Sequence, residues 1–144
     1  NRSYEIIKDK YMMISSSTFI IPSYIYYIFN DYIGYLLLTI VTITSILSDG
    51  YYKNHLIYNK IDKFVATTCY IYAGISILIP SYYISVKIFI IQNIIFPIPL
   101  LFIIKSRKCE TYSDKWRKWH MSWHYCASIL LSLSLINVNL RQGV

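Results

Sequence analysis

The chain reads as all-α, a multi-pass transmembrane helical bundle of about five spans in one domain covering residues 1–144. Three observations lead there. Apolar residues make up 56% of the 144 and charged residues only 15%, where a soluble domain carries about 25% charged residues. The apolar residues fall into runs of about 17–21, long enough for a helix to cross a hydrocarbon core of about 30 Å. Lys and Arg gather in one set of the loops between those runs, as they do on the cytoplasmic side of membrane proteins.

The runs cover residues 11–29, 32–48, 64–80, 84–104 and 119–136. The first is interrupted by Ser15, Ser16, Ser17, Thr18 and Pro22. It is too long and too polar for the apolar stretch of a signal peptide, and no small-residue cleavage pattern follows it before Asp31. The second has an unbroken core from Leu36 to Val41. The fourth holds Lys87, Gln92, Asn93, Pro97 and Pro99, which reads as a kinked span or as two shorter pieces; proline inside a span is tolerated where neighbours satisfy the freed carbonyl. The lengths favour helices over barrel strands. With 4 Gly and 4 Pro the chain is neither collagen-like nor a disordered tail. Cys69 and Cys126 lie inside apolar runs, so the 3 cysteines form no disulfide framework.

The charge pattern sets the orientation. Five spans place the N-terminus, the 49–62 loop and the 105–118 loop on one side, with 12 of the 14 Lys and Arg; only Lys87 and Arg141 fall on the other. The N-terminus is therefore expected in the cytoplasm and the C-terminus outside or in a lumen. The net charge of +7 then reflects basic loops beside a lipid bilayer, and no nucleic acid partner is expected. The basic 105–118 stretch reads equally as a topology determinant or as a contact for anionic headgroups. Tyr51, Tyr52, Tyr82, Tyr83, Trp116 and Trp119 fall near span ends, as an interfacial belt would.

Two of the 3 histidines form His120-Met121-Ser122-Trp123-His124. At i and i+4 on a helix both imidazoles lie on one face, one turn apart, the spacing that two ligands of one metal ion need. Ser45-Ile46-Leu47-Ser48-Asp49 at the end of the second span is another i, i+4 polar pair, and Asp62 stands at the start of the third. The parity of the passes brings Asp49, Asp62, His120 and His124 to the same membrane surface. Each carboxylate alone reads as a solvated flank; together with the histidines they read as a shallow metal site. Ser15, Ser16 and Ser17 lack a local base and read as a polar patch facing other helices. The sequence carries no HExxH, CxxC, P-loop or GxSxG signature. Haem between two histidines would need a ligand from a second helix, and His55 is the only one spare.

In their order, Ser45 four residues before Asp49, Asp62 opening the next span and His120/His124 on the last resemble the membrane hydrolases that comprise alkaline ceramidases, haemolysin III-like proteins and adiponectin/progestin receptors. That resemblance implies seven helices and a zinc held by three histidines, with a Ser and an Asp close by. His120 and His124 match the paired histidines, Asp62 the Asp and Ser45 the Ser. Asp49 stands where the family's first histidine would be, and a carboxylate is an acceptable zinc ligand; His55 is the other candidate. Between Asp62 and His120 there is room for two spans where the family has four, and losing a pair keeps the last helix in the same direction. The expectation is a hydrolase acting on a membrane lipid amide or ester. Zn2+ would sit on His120, His124 and Asp49, Asp62 would handle protons and orient water, and Ser45 would donate to the developing oxyanion. The alternative is a non-enzymatic membrane protein, receptor-like, viral or structural, that keeps part of the motif.

Overall fold

The computed structural model describes residues 4–143. They form an all-α bundle closed at one end by a small ladder, in which β1 (Glu5–Ile6) pairs antiparallel with β2 (Tyr52–Lys53). Asp9 caps α1 (Lys10–Ser17) by accepting from the Met12 amide at 3.1 Å. The first pass is broken between α1 and α2 (Ile20–Ile28). The Ser15, Ser17 and Thr18 hydroxyls donate to the carbonyls of Met12, Met13 and Ser15 at 2.9, 2.7 and 2.6 Å, competing with the helical ladder. Pro22 has no N–H for the Thr18 carbonyl. Together α1 and α2 still run the length of the bundle beside α3 and α7.

α3 (Tyr32–Ser45) starts on Asp31, which accepts from the Gly34 amide at 3.0 Å and from the Tyr72 hydroxyl at 2.7 Å. It continues into a π-helical turn, Ile46–Tyr51. α4 (Leu56–Ile84) is capped by the His55 ring nitrogen and α7 (Asp114–Gln142) by the Ser113 hydroxyl. Between them α5 (Val86–Ile95) and α6 (Ile98–Arg107) form one bent pass, the bend falling at Phe96-Pro97. The fourth apolar run is thus a kinked span of 22 residues.

Four segments are long and apolar enough to cross a membrane: Tyr32–Tyr51, Leu56–Ile84, Val86–Arg107 and Asp114–Gln142. The span expected at 11–29 is not among them, because its residues are divided between the short helices α1 and α2. α4 and α7 have 29 residues each, or roughly 44 Å at the helical rise, well over the expected 64–80 and 119–136. Both helices extend beyond the expected runs at each end; the added N-terminal turns of α4 carry Asp62, while His120 and His124 lie within the first two turns of the expected 119–136.

Phe19, Tyr26, Leu38, Val41, Cys69, Ile77, Ala127, Leu135 and Val138 pack together at the centre. Outward positions are apolar as well, among them Ile33, Ile71, Ile79 and Leu133, so the helices are apolar all round, as a lipid surround demands. Small residues let the helices approach: Ser128, Ser132 and Ser134 are buried on α7. Of the aromatics expected at an interfacial belt, Tyr82 and Tyr83 are exposed near the end of α4. Trp116 is instead buried and stacks on His120 with ring centroids 4.6 Å apart.

Gly50 fixes how closely α1 approaches the π turn, because a Cβ there would lie 2.4 Å from Met13 Cγ and 3.1 Å from the Met13 amide nitrogen. Gly50→Ala should destabilise the protein by about 1–3 kcal/mol through overpacking. Thermal unfolding in detergent checks this, with a Tm below wild type expected.

Candidate metal centre

Three elements converge at the end of the bundle that bears the ladder. The π turn supplies Asp49, one helical level beyond Ser45 at the end of α3. α7 supplies His120 and His124 on successive turns of one face, their ring centroids 4.7 Å apart. Asp49 Oδ2 lies 2.9 Å from His120 Nε2 and 3.6 Å from His124 Nε2. One ligand atom from each of the three residues falls within 4.8 Å of the others. The edges of a tetrahedron around zinc, with bonds of about 2.0–2.1 Å, are roughly 3.3 Å, so the donor set fits a metal ion of that kind. A second feature agrees. His120 Nδ1 is buried with no hydrogen-bond partner among the described residues, so the three side chains do not by themselves complete this site.

His55 is not part of the group. Its Nδ1 accepts from the Tyr58 amide at 3.3 Å, and its ring packs on Tyr4, Tyr52 and Tyr58. Of the two candidates for a third ligand, the fold brings Asp49 to the histidines and uses His55 as a helix cap.

The two remaining residues singled out in the sequence sit against the same centre. Ser45 Oγ donates to Asp49 Oδ2 at 3.3 Å and lies 3.5 Å from His124 Nε2. Asp62, at the start of α4, accepts from Thr44 Oγ1 at 3.0 Å. Asp49, Asp62, Ser45, His120 and His124 all line one cavity of about 670 Å³. Its polar end is this cluster; its apolar end runs inward along Leu38, Ala73, Ile77, Phe96 and Leu131. α4 and α6 both line it yet barely touch each other, which leaves a cleft between them.

Sequence reasoning missed several residues that hold the centre. Ser48 donates to Asn59 Oδ1 at 2.7 Å, tying the π turn to α4. Tyr112 sits at φ 66, a backbone region costly for a bulky side chain. There its hydroxyl accepts from the Asn54 amide at 3.2 Å and donates to the Ser48 carbonyl at 3.4 Å. Burial raises its pKa, which keeps that proton in place. Ser15 and Ser16, fully buried, reach His124 Nδ1 at 2.9 and 3.4 Å. The signal for them was present but mute: hydroxyls in an apolar helix need partners, and no spacing rule names a partner 109 residues away. The basic 105–118 stretch also works internally, since Arg117 pairs with Asp9 at 2.7 Å and Lys105 lies over the Trp119 ring.

Comparison with family models, with characterised proteins and with solved structures finds no match to this chain.

Full-length protein purified without chelator should hold about one divalent ion. His120→Ala and His124→Ala should each abolish it, Asp49→Ala should weaken it, and His55→Ala should leave it unchanged. Elemental analysis of the purified variants is the check.

Proposed function

We propose that this protein is an integral membrane, zinc-dependent hydrolase that cleaves a lipid amide or ester, with ceramide-like amides as the first candidates. The carrying observation is the continuity of one cavity from the Asp49–His120–His124 group to an apolar interior with a cleft between α4 and α6. A lipid has the same division, a polar linkage at the interface and a tail in hydrocarbon. The motif order that resembles the alkaline ceramidase group supports the same reading.

Zinc on these three ligands supplies a Lewis acid that makes water a nucleophile near neutral pH. The other tasks belong to the chain. The walls from Leu38 to Leu131 hold the acyl tail, which fixes the linkage at the polar end. Asp62, steadied by Thr44, would take a proton from the attacking water as the new carbon–oxygen bond forms and return it to the departing amine or alcohol as the acyl–heteroatom bond then breaks. Ser45 donates a hydrogen bond to the oxygen on which negative charge develops. Lys63 and Arg107 also line the cavity and put positive charge where a headgroup would lie. On this reading the end with the centre faces the cytoplasm and the C-terminus lies across the membrane, which the Lys and Arg asymmetry supports.

The competing reading is a non-enzymatic membrane protein. The 2.9 Å contact of His120 with Asp49 favours it, since such a pair stabilises a buried carboxylate with no reaction to perform.

Labelled ceramides and phospholipids incubated with the protein should release free fatty acid in a zinc-dependent manner. Asp62→Asn should lower turnover by at least about 100-fold with metal content retained, and Ser45→Ala by about 100-fold, as for loss of one oxyanion donor. Equal background release from wild type and both variants across the panel would leave the non-enzymatic reading.

A further inference from the structure

We propose that Ser15 is a positioning residue that fixes the tautomer of His124, so that the Nε2 lone pair faces Asp49 and a metal ion. The inference rests on the metal-centre reading above.

The three side chains Ser15, His124 and Asp49 line up like a nucleophile, a base and an orienting carboxylate. That likeness is misleading. Ser15 is fully buried and does not line the cavity, so its hydroxyl cannot reach a substrate. Its role follows from counting protons. A neutral imidazole carries one N–H and one lone pair. A proton on Nε2 of His124 would find Ser45 Oγ at 3.5 Å and Asp49 Oδ2 at 3.6 Å, both too long for a good hydrogen bond. A proton on Nδ1 finds Ser15 Oγ at 2.9 Å. The Ser15 hydroxyl can accept it because its own single proton goes to the Met12 carbonyl, also at 2.9 Å. The chain Nδ1–H to Ser15 to Met12 therefore runs in one direction.

Burial makes the choice binding. His124 is only 1% exposed and Ser15 and Ser16 are at 0%, so an N–H pointed the wrong way would have no water to turn to. Phe19 closes the ring's remaining edge, its centroid 5.4 Å away. Ser16 Oγ stands farther off at 3.4 Å, so Ser15 is the closer acceptor for that proton. The broken first pass thereby acquires a task. The distortion that breaks the helix at Thr18 is continuous with the hydroxyl pattern that aims Ser15 at α7.

The test uses full-length protein labelled with 15N-histidine in detergent micelles, first stripped of metal by chelator and then loaded with zinc. Nitrogen spectra separate protonated from unprotonated ring nitrogens, and the His124 signals are identified by their loss in His124→Gln. Metal-free wild type should show His124 protonated at Nδ1, and zinc should shift the Nε2 resonance. Ser15→Ala should populate the other tautomer and weaken zinc binding by about 10–100-fold in a chelator competition, the usual effect of losing such an outer partner. Ser15→Thr, which keeps the hydroxyl, should retain the wild-type tautomer, and Ser16→Ala should not change it. Nε2 protonation in metal-free wild type would overturn the proposal, as would a Ser15→Ala protein that folds and keeps both tautomer and zinc affinity. Should Ser15→Ala fail to fold, the tautomers of wild type and Ser15→Thr decide. The metal-free spectrum is read whether or not the protein hydrolyses any lipid, so failure of the hydrolase reading and failure of this one remain distinct.

Discussion

A carboxylate and two imidazoles buried at the end of an apolar bundle must each be partnered, and that demand organises the structure around them. Asp49 is 7% exposed and His124 1%. An isolated ionised carboxylate in such surroundings would cost several kcal/mol. Its Oδ2 is met by His120 and Ser45, and the surrounding groups are held in turn by others: Ser48 by Asn59 and Tyr112, His124 by Ser15, His120 by the face of Trp116. Five of the described elements are drawn into one place by these contacts, α1, α3, the π turn, α4 and α7. The ladder of β1 and β2 lies next to them and fastens the strand that leads into α1 against the strand that leaves the π turn.

The π turn meets a geometric need. It delivers Asp49 to the imidazoles of α7 while Gly50 lets the start of α1 pass within touching distance. Wide turns of this sort are frequent at functional sites, where an inserted residue re-aims a side chain. The Asp9 amide donates to the Gly50 carbonyl at 2.6 Å, so a backbone group left over from the widened turn is used to anchor the first pass. Strain of a second kind sits at Tyr112, whose left-handed backbone is sustained by bonds to Asn54 and Ser48 and by packing on Trp116. Both irregularities border the same cluster. An irregular backbone persists only where its surroundings over-determine it, and here the surroundings are the partners that the buried charges require.

What could be read in the sequence follows the range over which each signal acts. Helical periodicity is local, so His120 and His124 on one face were legible, as was the membrane-spanning character of four segments. Parity is a counting rule, so Asp49 and Asp62 could be assigned to the end of the bundle that holds the histidines. The break in the first run was foreshadowed by three consecutive serines and Pro22. Motif order alone favoured Asp49 over His55, since both stand near the end of a pass, and it is the packing of Tyr4, Tyr52 and Tyr58 that takes His55 away. Trp116 was misread for a related reason. An aromatic residue at a span end suits the interface, but one turn before His120 it is also placed to cover the imidazole. Ser15 belongs to the least legible class, since its meaning depends on a contact between the first pass and the last.

The cleft beside the centre has its own cause in the chain. At Phe96-Pro97 the fourth pass bends, because Pro97 has no N–H to continue the ladder and the Leu100 amide turns to the Pro97 carbonyl. That leaves the Phe96 carbonyl outside the helical pattern, and the Tyr70 hydroxyl of α4 donates to it. The Phe96 ring lies against Tyr70 and close to Gly74, where a Cβ would come within 3.3 Å of it. α5 is thus pinned to α4 at the bend, while α6 leans away and packs on α7. The space left between α4 and α6 is bounded below by this clamp and above by Asp62, Lys63 and Arg107. The bend therefore leaves the apolar part of the cavity between α4 and α6, while Asp49 and its histidines stay at its polar end.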